Sequence, residues 1–193
     1  MKNTLFLITV ILIGFTSCNN DDDTQKTETV NLQIDGFTTG GAKGFQAGFV
    51  AGETAEVTLG PVNSTFQVTY VQFIFGGKGA TPTSRDIVLK IYKDIGVGTP
   101  GTLLFTGNYS IAASDNTMQQ IDLRDSKIMV NGGGSIRVAI EMTAAGLPSV
   151  AVDKDGTVSG TLNWIKTGGS WVTSTSLGLT GDFIIRATVE KNM

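Results

Sequence analysis

No histidine occurs in the 193 residues of the chain. Imidazole acid–base catalysis, Ser-His and Cys-His nucleophilic pairs and histidine zinc sites are therefore excluded by composition. What remains is carboxylate, lysine or tyrosine chemistry. A glycosidase would need two carboxyl groups facing across a cleft. Of the five glutamates, Glu28 lies in a polar N-terminal stretch, and Glu53, Glu56, Glu141 and Glu190 lie at the edges or on the polar phases of apparent strands. No pair among them can be aligned, so the expectation is a protein that is not an enzyme.

Aspartates raise the question of a metal. Asp153 and Asp155 stand two apart before Gly156, as in part of a calcium loop, but the first ligand position would be Ala151 and no downstream glutamate completes the set. The Asp-Gly pair reads instead as a hairpin turn. Asp94, at the end of an apolar strand, reads as a loop cap through its own backbone amides, with a calcium role as the alternative. A structural calcium at Asp94, Asp153 or Asp155 is the one cofactor in view.

Two indoles, Trp164 and Trp171, flank the turn Thr167-Gly168-Gly169-Ser170. Sugar rings present C–H faces that stack on aromatics, and their hydroxyls need amide or carboxylate partners, for which Asn163 and Asp182 are near in sequence. The competing reading packs both tryptophans over the core or the end of the fold, as large aromatics commonly do.

The only cysteine, Cys18, follows Lys2, an apolar run from Leu5 to Ile13 broken only by Thr9, and the stretch Gly14-Phe15-Thr16-Ser17. That is the layout of a secretory signal, too short for a mature membrane-spanning helix, which needs about 20 residues. Phe15-Thr16-Ser17-Cys18 resembles a bacterial lipobox, and Asp21-Asp22-Asp23 is similar to the export signal of surface lipoproteins in the Bacteroidota. The resemblance implies removal of residues 1–17, lipidation of Cys18 and a lipid-anchored place on the outer membrane, exposed at the cell surface. Stable anchoring takes more than one acyl chain, which a lipoprotein supplies. Residues 18–29 read as a flexible acidic tether. With Cys18 lipidated, the folded part has no disulfide and no thiolate.

Residues 30–193 read as a single domain. Setting aside Lys2 and Asp21–Asp23 leaves 13 basic and 14 acidic residues without a basic cluster, which argues against a nucleic-acid partner. Val30-Leu32-Ile34, Ile87-Leu89-Ile91, Ile136-Val138-Ile140-Met142 and Phe183-Ile185-Ala187-Val189 alternate with polar residues, the period of half-buried strands. In Phe66–Phe75 the apolar phase switches near Tyr70-Val71, predicting a bulge or a strand buried on both faces. The 25 glycines collect in the turns between these runs. The expected fold is all-β, an antiparallel β-sandwich of jelly-roll-like form, with a closed β-barrel as the alternative.

Ile87 to Asp94 followed by Gly98-Thr99-Pro100-Gly101-Thr102-Leu103-Leu104 resembles a strand–loop–strand element of bacterial surface β-sandwiches. Gly156 to Trp164 and Trp171 to Ala187 are similar to the closing segment of such domains. The resemblance spans roughly residues 45–189 and implies a jelly-roll-like cell-surface domain without a catalytic residue. The function expected is binding, with a glycan as the leading ligand and a protein partner or a structural role in a surface assembly as the alternative.

Overall fold

The computed structural model describes residues 26–41, 43–45, 49–77, 84–96, 98–115 and 117–193. Cys18, Asp21, Asp22, Asp23, the expected signal and most of the expected tether lie outside them. The fold is an antiparallel β-sandwich whose sheets do not close into a barrel. One sheet has the order β1 (Thr27–Leu32), β14 (Ile185–Asn192), β4 (Phe66–Phe73) and β8 (Gln119–Asp122), with β9 (Ile128–Val130) also pairing with β4. The other has six strands in the order β13 (Ser170–Thr173), β12 (Asn163–Thr167), β3 (Thr54–Val62), β10 (Gly134–Met142), β6 (Ser84–Lys93) and β7 (Leu103–Ala112). A small sheet joins β2 (Lys43–Phe45), β11 (Ser149–Asp153) and β5 (Phe75–Gly76). The chain crosses repeatedly between the two large sheets, from β3 to β4 to β6 and from β9 to β10, as in a jelly roll.

Alternation decides which side chains meet. On the six-stranded sheet Ala55, Val57, Leu59, Ile87, Leu89, Ile91, Ile136, Val138 and Ile140 turn inward; Val68, Val71, Phe73, Ile185, Ala187 and Val189 meet them from the other sheet in one buried cluster. Full burial of each larger aliphatic or phenyl side chain contributes about 1.5–3 kcal/mol. The phase switch in β4 is a bulge: Thr188 pairs with Tyr70 and Val189 with Val68, leaving Thr69 as the extra residue. Its hydroxyl donates to the Thr188 carbonyl at 3.0 Å.

Three expectations change. Strand β1 begins at Thr27, so it takes in the last three residues assigned to the tether, and Glu28 pairs with Lys191 at 3.0 Å. The Asp155-Gly156 pair does not close a hairpin, because β11 and β12 belong to different sheets and the chain between them is a long connection. Among the described residues no amide of its own loop donates to the Asp94 carboxylate, which reaches across to Arg137.

Candidate functional site

The outward phase of the six-stranded sheet is where the polar residues of its central strands gather. Register places Trp164 opposite Glu56, Glu56 opposite Ala139, and Ala139 opposite Lys90, in one row across β12, β3, β10 and β6. The next row runs Thr58, Arg137, Tyr92. These residues point away from the core, yet the side chains of Glu56 and Arg137 are only 0% and 2% exposed.

Arg137 organises the cluster. Its Nε donates to Asp94 Oδ1 at 2.7 Å and its Nη1 to Glu56 Oε1 at 3.1 Å. The same guanidinium lies 5.0 Å from the ring centre of Trp164, within cation–π range. Three polar atoms here, Glu56 Oε2, Thr58 Oγ1 and Trp164 Nε1, are buried without a hydrogen-bond partner among the described residues. Burial pushes the Glu56 carboxyl up to about 7, against the opposing pull of Arg137. Burial also raises the Tyr92 phenol, and the charges of Glu56 and Glu141 add to the shift. Beside them Lys90 and Glu141 pair at 2.6 Å.

Over this cluster lies a pocket of about 360 Å³, lined among others by Thr58, Asp94, Gly98, Arg137, Leu162 and Trp164. Its size is at the small end of the range for small-molecule sites, about 300–1,000 Å³. Gly98 lies beside the indole on this side: a β-carbon there would make ordinary van der Waals contact at 3.6 Å from Trp164 Cζ3. A larger depression of about 490 Å³ lies over β6 and β7, but among the described residues its lining has one charged side chain, Asp86, and no cation. The Trp164 pocket has the richer chemistry: an aromatic surface, an ion-pair array and buried polar atoms in one place.

The residues expected from sequence divide between this pocket and the interior. Trp164 and Trp171 do flank the β12–β13 turn, and neither belongs to the core cluster. Trp164 pairs with Thr173 and Trp171 with Lys166, so both indoles share the outward face of the hairpin. Both are half-buried, and only Trp164 is a wall of the pocket.

Asn163 and Asp182, by contrast, are buried and hold the chain together. Asp182 Oδ1 accepts from the Ser159 amide at 2.6 Å and from Asn163 Nδ2 at 2.5 Å, while Asn163 Oδ1 accepts from the Phe183 amide at 2.9 Å. The cause is strand phase: Asn163 precedes outward-facing Trp164 and therefore points inward. A ligand on the tryptophan face does not meet them.

Asp153 joins that interior network, its Oδ1 accepting from the Asp182 amide at 2.9 Å and its Oδ2 from the Gly36 amide at 2.8 Å. Burial pushes its carboxyl upward, and the neighbouring charges of Asp155 and Asp182 add to this. The packing is tight enough that a β-carbon on Gly181 would fall 2.0 Å from the Asp153 carbonyl oxygen. Asp155 is spent on Thr157, accepting from its amide at 2.8 Å and its hydroxyl at 2.7 Å. Among the described residues no group of three or more carboxylates is arranged to hold a metal ion. Asp94, the third residue expected at a calcium site, belongs to the Arg137 cluster.

Glu56 and Arg137 escape a reading of the sequence because each occupies the polar phase of an alternating strand, which ordinarily means a solvated face. Their burial follows from the central positions of β3 and β10 and from neighbours contributed by β12 and the loop after β6.

No protein-family model matches the chain, and no curated protein matches it. Among solved structures it is similar to the cysteine protease and lectin-like domains of Cwp84, a surface layer associated protein of Clostridium difficile, with 13% identity and a TM-score of 0.52 over 75% of this chain. A second structure, of the clostridial cysteine protease Cwp84 after propeptide cleavage, has 15% identity and a TM-score of 0.54 over 86% of this chain. The matches cover 33% and 40% of those chains, so this chain spans well under half of their length. At such identities the likeness is one of fold: an all-β sandwich.

Proposed function

We propose that the chain is a non-catalytic binding module of the cell surface, anchored in the outer membrane through a lipid on Cys18, and that its outward pocket takes a glycan. The observation that carries the reading is the Trp164 indole, which lines one pocket together with Gly98 and the Arg137–Asp94 pair. An aromatic surface next to fixed hydrogen-bonding groups suits a sugar, which offers C–H bonds on one face and hydroxyls around its edge. The lectin-like domain in a protein of similar fold agrees with this reading.

A bulky residue at position 98 tests the pocket from outside the sheet. Gly98 is exposed and its φ lies outside the left-handed region, so Gly98→Phe fills the space beside Trp164 without backbone strain. On a glycan array the parent is expected to bind and Gly98→Phe to lose the signal, with an unchanged melting temperature. Capture of a protein that is insensitive to Gly98→Phe would favour the other reading, in which a partner strand adds to the uncharged, proline-free edge strand β7. The anchor has its own test: Cys18→Ser should leave a folded domain in the soluble fraction, and membrane retention of that variant after signal removal refutes the lipid assignment.

A further inference from the structure

We infer that Asp94 is the residue that reads the ligand, accepting a sugar hydroxyl on Oδ2 while Arg137 fixes Oδ1, and that the pocket takes neutral sugars and rejects acidic ones. The inference rests on the glycan reading and goes further by naming the acceptor and the class of sugar. Three observations lead to it.

The first is the division of labour within the carboxylate. Asp94 Oδ1 is occupied by Arg137 Nε at 2.7 Å, and among the described residues Oδ2 has no hydrogen-bond partner. The side chain is 13% exposed and forms part of the pocket wall. Glu56 Oε2 is also without a partner, but it is buried. Asp94 is thus the acceptor that a ligand reaches.

The second is rigidity. The Asp94 amide donates to the Ser135 carbonyl at 2.9 Å, and the preceding Lys93 amide donates to the Thr102 carbonyl at 2.9 Å. Arg137 is held in turn by Glu56. The chain Glu56, Arg137, Asp94 presents the free oxygen without the entropy loss of ordering a mobile side chain on binding. Glu56 and Arg137 act through Asp94 and are positioning residues.

The third is charge. Arg137 faces two carboxylates and is 2% exposed, so it is committed to the protein and offers little to an incoming anion. With Glu56 ionised the cluster carries one net negative charge, and Lys90 is engaged by Glu141. A uronic acid would set a second carboxylate against Asp94, whereas a neutral sugar offers hydroxyl donors to it. A charge-assisted hydrogen bond of this kind is worth about 10- to 100-fold in affinity.

The test uses matched neutral and acidic probes: D-glucose, D-galactose and D-mannose oligosaccharides beside the corresponding oligouronates, read at pH 8 by Trp fluorescence and calorimetry. The parent is expected to bind at least one neutral member about 10-fold or more tighter than its uronate. Asp94→Asn keeps the size of the side chain but puts an amide in place of the free acceptor; it should bind the neutral sugar about 10- to 100-fold more weakly and narrow the preference over the uronate. Equal binding of neutral and acidic members by the parent, or undiminished binding by Asp94→Asn, overturns the inference and leaves the glycan reading standing. Failure of the parent to bind any member of either class removes the glycan reading and this inference with it. Should Asp94→Asn unfold, the neutral-to-acidic ratio of the parent still decides.

Discussion

Glu56→Gln is expected to equal the parent in stability near pH 4 and to exceed it at pH 8 by on the order of 3 kcal/mol. The reason is the position of Glu56 beneath the pocket, where Arg137 satisfies one carboxylate oxygen and the other is buried without a partner. Burial raises the folded-state pKa from 4.5 to about 7. A group raised on folding contributes stability that is present in full below its unfolded pKa and is lost as pH rises through the folded value. The parent should therefore weaken between about pH 4.5 and 7, at about 1.4 kcal/mol for each pH unit of that window. Glutamine keeps a carbonyl for Arg137 and carries no proton to lose. Urea melts of both proteins at half-unit pH steps check this, and parallel curves across the window would show that Glu56 is solvated or fully paired in solution.

That expectation depends on a group the sequence does not single out. The alternation in Ile136–Met142 and Ile87–Ile91 predicts the inward face of β10 and β6, and the phase switch near Tyr70 predicts a bulge or a strand buried on both faces, of which the structure shows the bulge, at Thr69. The same alternation places Arg137 and Glu56 outward, and from the sequence such residues are indistinguishable from ordinary solvated charges. Only strand order makes the difference: β3 and β10 are neighbours in the middle of the sheet, so the outward residues cover one another and are covered by Trp164.

Asn163 and Asp182 show the converse. Both stand close in sequence to the tryptophans, and polar residues near an aromatic invite a ligand reading. Successive side chains of a strand point to opposite faces, however, so Asn163 faces the interior because Trp164 does not. The Asp182 carboxylate then receives the amides that this connection would otherwise leave buried and unpaired. The Asp153–Asp155 pair misleads for a related reason, since carboxylates near glycine serve backbone amides as readily as they serve calcium.

Trp164→Ala should separate binding from folding, and Trp171→Ala is its internal control. A core tryptophan costs about 3–5 kcal/mol when truncated to alanine. Neither indole lies in the core cluster and both are half-buried on the outward face, so each variant should lose no more than about 2 kcal/mol. Their effects on a sugar should differ. Trp164 is a wall of the pocket with Arg137 against its ring, and its removal should weaken binding at least about 30-fold, as for a central hot-spot aromatic. Trp171 stands two register pairs away, opposite Lys166, and its removal should cost only a few-fold. A thermal melt and a binding isotherm for each variant read both quantities. Equal losses of affinity would move the site from the pocket to the hairpin as a whole. A loss of stability in the core range for Trp164→Ala, with no sugar bound by the parent, would make the indole a structural cover for Arg137, and the cluster beneath it a buried ion pair without a ligand.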